Sequence, residues 1–387
     1  MADPRRILVL GLMARYPMAG VGWQALQYLL GLARLGYEVY YAEDSGAHPY
    51  DPIAMTVSAD CTYNVEFLRA AMERIGLADR WVYWDEPNDR YLGVGEEALH
   101  ELYRTAGSIW NLCGASPPRA AHRAGAAKLV YVETDPVYEQ LRVAKGDAAV
   151  RAMLDAHDVL FTYGENLGQA DCPVPLSGYA WHPTRPPVVL DLWESPPPAR
   201  GAWSTIATWE NKGKDVEFAG ETYRWSKHTN FLHYLPVAKR SGVDFEVAIR
   251  PPGEREAALL RDNGWRTVDP LAVSCDLDVY RRFIQGSRGE FTVAKDIYVR
   301  PRSGWSSDRS ACYLAAGRPV VTQETAASKY VPSGEGLLTF ETLDEAVVAI
   351  REVERDYERH CAAALRVARE HYAAERVLGE MLRVIGI

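Results

Sequence analysis

Carboxylates stand where strands of the first half of the chain are expected to end. Glu133-Thr134-Asp135 follows strand 128–132, Asp44 closes the second strand, and Glu165-Asn166 follows strand 158–162. Carboxylates at the C-terminal ends of parallel strands face the crevice where α/β proteins bind ligands. A group transfer to a hydroxyl needs a general base beside that hydroxyl. Asp135 is the first choice for it and Glu133 the second. Asp135 also has a structural reading, because Thr134-Asp135-Pro136 is a good helix start with proline at the first helical position. His48 and His182 are further bases by type, His182 reading equally well as a cleft-rim residue.

Two other segments are built to meet an anion. Gly20-Val-Gly22-Trp-Gln-Ala25 matches the GxGxxA pattern of a dinucleotide site, and Asp44 lies about twenty residues on. The spacing argues against that use. A dinucleotide site puts its first glycine directly at the strand end, so that the helix N-terminus meets the pyrophosphate. Here a further stretch separates Leu12 from Gly20, and Trp23 occupies the place of close approach. The expectation is a loop bending through Gly20 and Gly22 to wall one side of a cleft. In the second half, Ser303-Gly304-Trp305-Ser306-Ser307-Asp308 precedes a helix expected over 306–316. Ser306, Ser307 and Asp308 are N-cap residue types, and free N–H groups beside serine hydroxyls would hold a diphosphate.

The elements that must position these groups follow from the apolar pattern. Ile7-Leu-Val-Leu10 is a strand buried on both faces, Gln24–Leu35 an amphipathic helix stopped by Gly36, and Glu38–Ala42 the next strand. Helices 65–75, 96–105 and 147–156 then alternate with strands 81–84, 108–112, 128–132 and 158–162. That is a doubly wound parallel domain. Trp181-His-Pro-Thr-Arg-Pro-Pro187 and Pro196-Pro-Pro198 read as the connection to a second domain. There strands 203–208, 244–249, 265–268, 290–293 and 319–322 alternate with helices, including one expected over 225–239. The fold class is therefore α/β, with two Rossmann-like halves facing a cleft. The boundaries are 1–185 and 186–374, with the last helix, 375–387, packing back on the first half.

Composition bounds the function. With 387 residues, 48% apolar and 25% charged, the chain is an ordinary globular protein of two domains. The net charge of −9 carries no electrostatic footprint for nucleic acid. Six cysteines lack zinc or CxxC spacing, no apolar run spans a bilayer, and no secretory h-region opens the chain, so a cytoplasmic protein without an integral membrane segment is expected. The 11 Trp and 22 Tyr outnumber 8 Phe, which suits carbohydrate or nucleobase ligands. Tyr16, Trp23 and Trp110 are candidate ligand walls, each equally readable as core.

The segment Tyr313-Leu-Ala-Ala-Gly317-Arg-Pro-Val-Val321, after its Ser/Gly-rich helix start, resembles the donor-site helix of GT-B glycosyltransferases of the group 1, or GT4-like, type. Thr322-Gln-Glu324-Thr, Gly334-Glu-Gly336 and Leu343-Asp-Glu-Ala346 are similar to that fold's closing region. The resemblance implies a bacterial hexosyltransferase moving a sugar from a nucleotide-sugar co-substrate to a small acceptor. It implies no metal or other cofactor, and secondary metabolism as the setting. It also implies a donor diphosphate neutralised by a basic residue in the loop Trp209-Glu-Asn-Lys212-Gly-Lys214. Lys212 and Lys214 fit, and both also read as solvated loop lysines. Arg250, ending strand 244–249, points at the same rim, or pairs with Glu254 or Glu256. Ser303 and Glu324 join the donor-side candidates. The two glutamates eight positions apart that many such transferases carry are missing: Gly304 and Cys312 stand there. A sugar-nucleotide epimerase, an NAD-dependent oxidoreductase and a non-catalytic sugar-nucleotide-binding protein remain as alternatives.

Overall fold

The structure, a computed structural model, describes residues 3–211 and 213–387. Lys212 lies outside the described residues. Two parallel sheets form the frame. The first has eight strands in the order Trp181–Pro183, Val159–Thr162, Lys128–Glu133, Ala106–Leu112, Asp3–Leu10, Glu38–Glu43, Trp81–Asp85 and Arg90–Gly93. Only its last pair is antiparallel. The second has six strands, Trp265–Val268, Phe245–Ala248, Trp203–Ile206, Gly289–Thr292, Val320–Gln323 and Leu337–Phe340, all parallel. Continuous apolar runs such as Ile7–Leu10, at most 1% exposed, make these strands because both faces are covered by helices. The order reverses beside Asp3–Leu10 in one sheet and beside Trp203–Ile206 in the other, where doubly wound folds open their crevice.

Four local expectations are corrected. The first helix runs Ala19–Arg34, so Gly20 and Gly22 lie in its opening turns with no positive φ, and the expected glycine bend is absent. The preceding loop is pinned from the second strand instead. Met13 N–H donates to the Tyr41 hydroxyl at 2.8 Å, and the N–H groups of Ala14 and Arg15 donate to the Glu43 carboxylate. Next, Trp181–Pro183 is a strand paired with Leu160–Thr162, because proline is tolerated on a sheet edge. The helix expected over 225–239 is two short helices, His228–Tyr234 and Val237–Ser241, interrupted at Pro236, and a hairpin, Val216–Phe218 and Glu221–Tyr223, precedes them. Finally, Trp23 and Trp110 are core residues, 2% and 0% exposed, while Tyr16 is 38% exposed.

The chain crosses between the sheets twice, and the crossings are bonded together. Val188 N–H donates to Tyr372 O at 2.7 Å, and Ala374 N–H donates to Val188 O at 2.9 Å. Helix Ala374–Ile385 then lies on the first helix so closely that a Cβ on Gly31 would fall 2.5 Å from Leu378. The two halves also touch directly. Trp23 Nε1 donates to Leu277 O at 2.9 Å, Lys329 Nζ pairs with Asp171 at 2.6 Å, and Arg74 pairs with Asp278.

Candidate functional site

A cavity of about 350 Å³ opens between the strand ends of the two sheets. Leu12, Gly20, Val21 and Gln24 wall one side, and Glu133, Thr134, Asp135, Tyr138 and Glu139 form the floor. Lys214 and Trp225 close it from the second domain. The hairpin makes this possible: its Val216 and Tyr223 pack with Trp225, Val137, Leu141 and Tyr298 into one apolar cluster astride the cleft.

Three carboxyl groups meet at the floor, one held ionised and two pushed toward their protonated forms. Asp135 is held ionised. Burial acts against its charge, but Lys295 Nζ reaches it at 2.6 Å and the Tyr298 hydroxyl donates to the same oxygen, so its pKa falls below the usual carboxylate range. Glu133 is 1% exposed; its Oε2 accepts from Thr162 Oγ1 at 2.5 Å and Gln140 Nε2 at 2.9 Å. Its Oε1 receives no hydrogen bond from a protein donor among the described residues, and the carboxyl of Glu139 is a close neighbour of Glu133. Burial, then the neighbouring carboxyl, pushes Glu133 well above its ordinary range; burial raises Glu139 too.

Cations face them from the second domain. Arg309, at the second position of helix Asp308–Ala315, donates to buried Glu290 at 2.6 Å, to Ile206 O at 2.6 Å and to Thr292 Oγ1 at 2.9 Å. Those acceptors lie at or near the ends of the two central strands of its sheet. Lys227 stands over the Trp305 ring at 5.6 Å, and its pKa is pushed down to about 7 by burial and then by Arg309 and Lys295. Lys295 lies 3.6 Å and Lys214 lies 4.8 Å from the Trp225 ring centroid. The four cations therefore form a continuous group whose mutual repulsion favours an anion among them.

Of the residues expected from sequence, Asp135, Glu133, Gly20 and Lys214 line this cavity. Gly22 does not: a Cβ there would lie 2.9 Å from Leu277, so it serves contact between the halves. Ser303 is fully buried, its hydroxyl accepting from Trp305 N–H at 3.3 Å and its backbone oxygen from Asn166 N–H, which turns it away from any ligand. Ser306 lies against Tyr372. Ser307 occupies the N-cap without a side-chain cap bond. Asp308 turns toward the first domain, accepting from Gln24 Nε2 at 3.2 Å and Tyr163 Oη at 3.4 Å, and burial raises its carboxyl to about 6. Arg250 pairs with Asp269 at 3.2 Å instead of Glu254 or Glu256, and it is not part of the cavity lining. Glu324 follows strand Val320–Gln323 with its Oε1 buried and without a hydrogen-bond partner among the described residues.

Other strand-end groups are committed elsewhere. Asp44, 2% exposed, accepts from Ser116, Tyr103 at 2.5 Å and His122 at 2.8 Å, which leaves it no role as a ribose ligand. Glu165 pairs with Arg185. His48 is exposed, and His182 sits on the edge strand beside Phe161. The positions of the missing glutamate pair have a packing explanation. Gly304 has φ +80°, and a Cβ on it would fall 2.4 Å from Asn166 N; Cys312 is 4% exposed in the helix facing the first domain.

Sequence reading missed Glu139, Lys227, Lys295 and Arg309. Glu139 lies one helical turn beyond Asp135, and the strand-end rule applied to strand 290–293 points to Lys295. Lys227 sat inside a segment read as helix. Arg309 was adjacent to the N-cap residues and was passed over for them.

No protein-family model matches the sequence, and no curated protein does. The fold does recur among solved structures. HepE of Anabaena, in complex with UDP-glucose, is 11% identical with TM-score 0.57, over 98% of this chain and 99% of that one. AviGT4, a glycosyltransferase involved in avilamycin A biosynthesis, is 12% identical with TM-score 0.55, over 98% and 96%. Sucrose-phosphate synthase of Thermosynechococcus elongatus is 11% identical with TM-score 0.51, over 98% of both chains. At these identities the likeness is one of fold: two Rossmann-like domains facing a cleft, the GT-B arrangement.

Proposed function

We propose that the protein is a glycosyltransferase that moves a sugar from a nucleotide-sugar donor to a small acceptor without a metal ion. One observation supports this reading: Lys214 lines the cavity opposite the carboxyl set of the first domain, Lys295 is bonded to Asp135 on its floor, and Lys227 and Arg309 stand behind them within electrostatic reach. The donor diphosphate takes the place among the cations. As the bond from the sugar's anomeric carbon to phosphate breaks, its electron pair passes to the diphosphate, and preorganised positive charge stabilises it there. The acceptor occupies the cavity, and its oxygen forms the new bond to the anomeric carbon. Asp135 takes the acceptor proton. Lys295 links the two events, since in moving from Asp135 toward the diphosphate it frees the carboxylate it now neutralises. The bound UDP-glucose of HepE, a protein of the same fold, supports a uridine or related diphosphate as first choice.

The test is a thermal-shift screen against UDP, GDP, dTDP, ADP and NAD. A ligand at a hundred times its dissociation constant stabilises by about 2.7 kcal/mol. A shift with one nucleoside diphosphate, and turnover of its sugar conjugate undiminished by EDTA, is expected. A shift with NAD alone would sink the transferase.

A further inference from the structure

We propose that the carboxyl pair Glu133 and Glu139 on the cavity floor is a recognition site for a primary amine on the acceptor. The inference deepens the transferase reading and rests on it for the word acceptor; the amine site itself stands on geometry alone. Glu133 is 1% exposed, its Oε1 receives no hydrogen bond from a protein donor among the described residues, and the carboxyl of Glu139 acts on it as a neighbour. Its other oxygen already accepts from Gln140 and Thr162. Both carboxyls line the same 350 Å³ cavity, beside the aromatic rings of Tyr131, Tyr138 and Trp225.

Two adjacent carboxyls, one fully and one partly buried, resist ionising together unless a cation comes between them, so without one they hold a proton. A hydroxyl ligand leaves that proton in place. An ammonium supplies one positive charge and three N–H donors, enough to satisfy Glu133 Oε1 and Glu139 together, and it displaces the proton to solvent. The balance is one ligand charge gained and one proton released. Among the described residues no cation is bonded to the pair. Lys214, the basic residue of the lining, has its Nζ over the Trp225 and Tyr138 rings, and Lys295 is bonded to Asp135. The other titratable groups facing the pair are Asp135, Tyr131, Tyr298 and Cys113; the three neutral ones keep their protons through burial, and Asp135 is already balanced by Lys295.

The experiment is calorimetric titration of the full chain at pH 7 with glucosamine and 2-deoxystreptamine, against glucose, N-acetylglucosamine and myo-inositol. Each titration is run in phosphate and in HEPES, neither of them a primary amine, to count protons. The aminated probes are expected to bind at least tenfold tighter than their neutral counterparts and to release close to one proton. Glu139→Gln and, separately, Glu133→Gln should abolish both the preference and the release. Equal binding of neutral probes, amine binding without proton release, amine preference surviving in both variants, or no amine binding at millimolar concentration would each overturn the proposal. Nucleoside diphosphate binding, read separately, tests the transferase: its absence beside proton-linked amine binding would remove that reading and leave this site.

Discussion

Lys295 reaches across the cleft to Asp135, placing Nζ 2.6 Å from Oδ1 and joining the second domain to the carboxylate floor of the first. The pair stands where the proposed donor and acceptor meet, so its two members should fail differently. Lys295→Met is expected to weaken nucleoside diphosphate binding at least tenfold. Asp135→Asn should leave that binding near wild type and lower turnover by about a hundredfold or more, the range for loss of a general base. Calorimetry with UDP and initial rates with its sugar conjugate separate the two.

Arg309 and Glu290 make a second, more deeply buried pair, with Glu290 fully inaccessible. Removing the guanidinium in Arg309→Met strands a buried carboxylate, which costs about 3–5 kcal/mol. Adding Glu290→Gln to that variant should recover a large part of the loss. Urea unfolding of the two single variants and the double variant gives the coupling energy; strict additivity would show that the pair does not act as one unit.

Gly304 predicts an effect on how the halves join. Its positive φ and the 2.4 Å approach of a built Cβ to Asn166 N leave no room for a side chain. Gly304→Ala should therefore destabilise by at least about 2 kcal/mol, as strained substitutions do. Restoring the missing glutamate with Gly304→Glu should cost more and should not raise activity. A stable, more active Gly304→Glu protein would contradict the packing described here.

Glu43 ties the loop after the first strand to the second strand, and burial raises its pKa to about 7. A carboxyl raised above its unfolded value contributes stability that is fully present below the unfolded pKa and lost as pH rises through the folded one. Relative to Glu43→Gln, the wild-type protein should lose about 3 kcal/mol between pH 4.5 and pH 7 or slightly above, then level off. The variant, which cannot accept both backbone N–H groups with equal geometry, should be less stable at low pH. Denaturant midpoints across this range test the sign; a gap that widens with rising pH would refute it.

Much of the fold was legible because its signals are local. Apolar runs bounded by Gly36, Gly317 or proline stretches mark strands and helices within a few residues of where they occur. The misreadings share a cause. Gly20 and Gly22 read as a flexible bend, yet the first helix starts before them, because Tyr41 and Glu43 on a neighbouring strand already hold the loop. Segment 225–239 read as one helix, yet helix begins only at His228 and breaks at Pro236, which leaves Trp225 outside it to cap the cleft.

The sequence by itself determined the two-domain α/β architecture and the strand ends at which polar groups gather, since periodicity and chain-breaking residues are written into neighbouring positions. It also nominated Asp135, Glu133 and Lys214, three of the residues that face the cavity. Only the tertiary structure decided which charges meet. Asp44 and Asp135 both follow strands, yet one is enclosed by His122, Tyr103 and Ser116 while the other meets Lys295, a residue 160 positions away. A carboxylate's role is set by its burial and by the donors that reach it, and those come from whichever distant segment packs alongside.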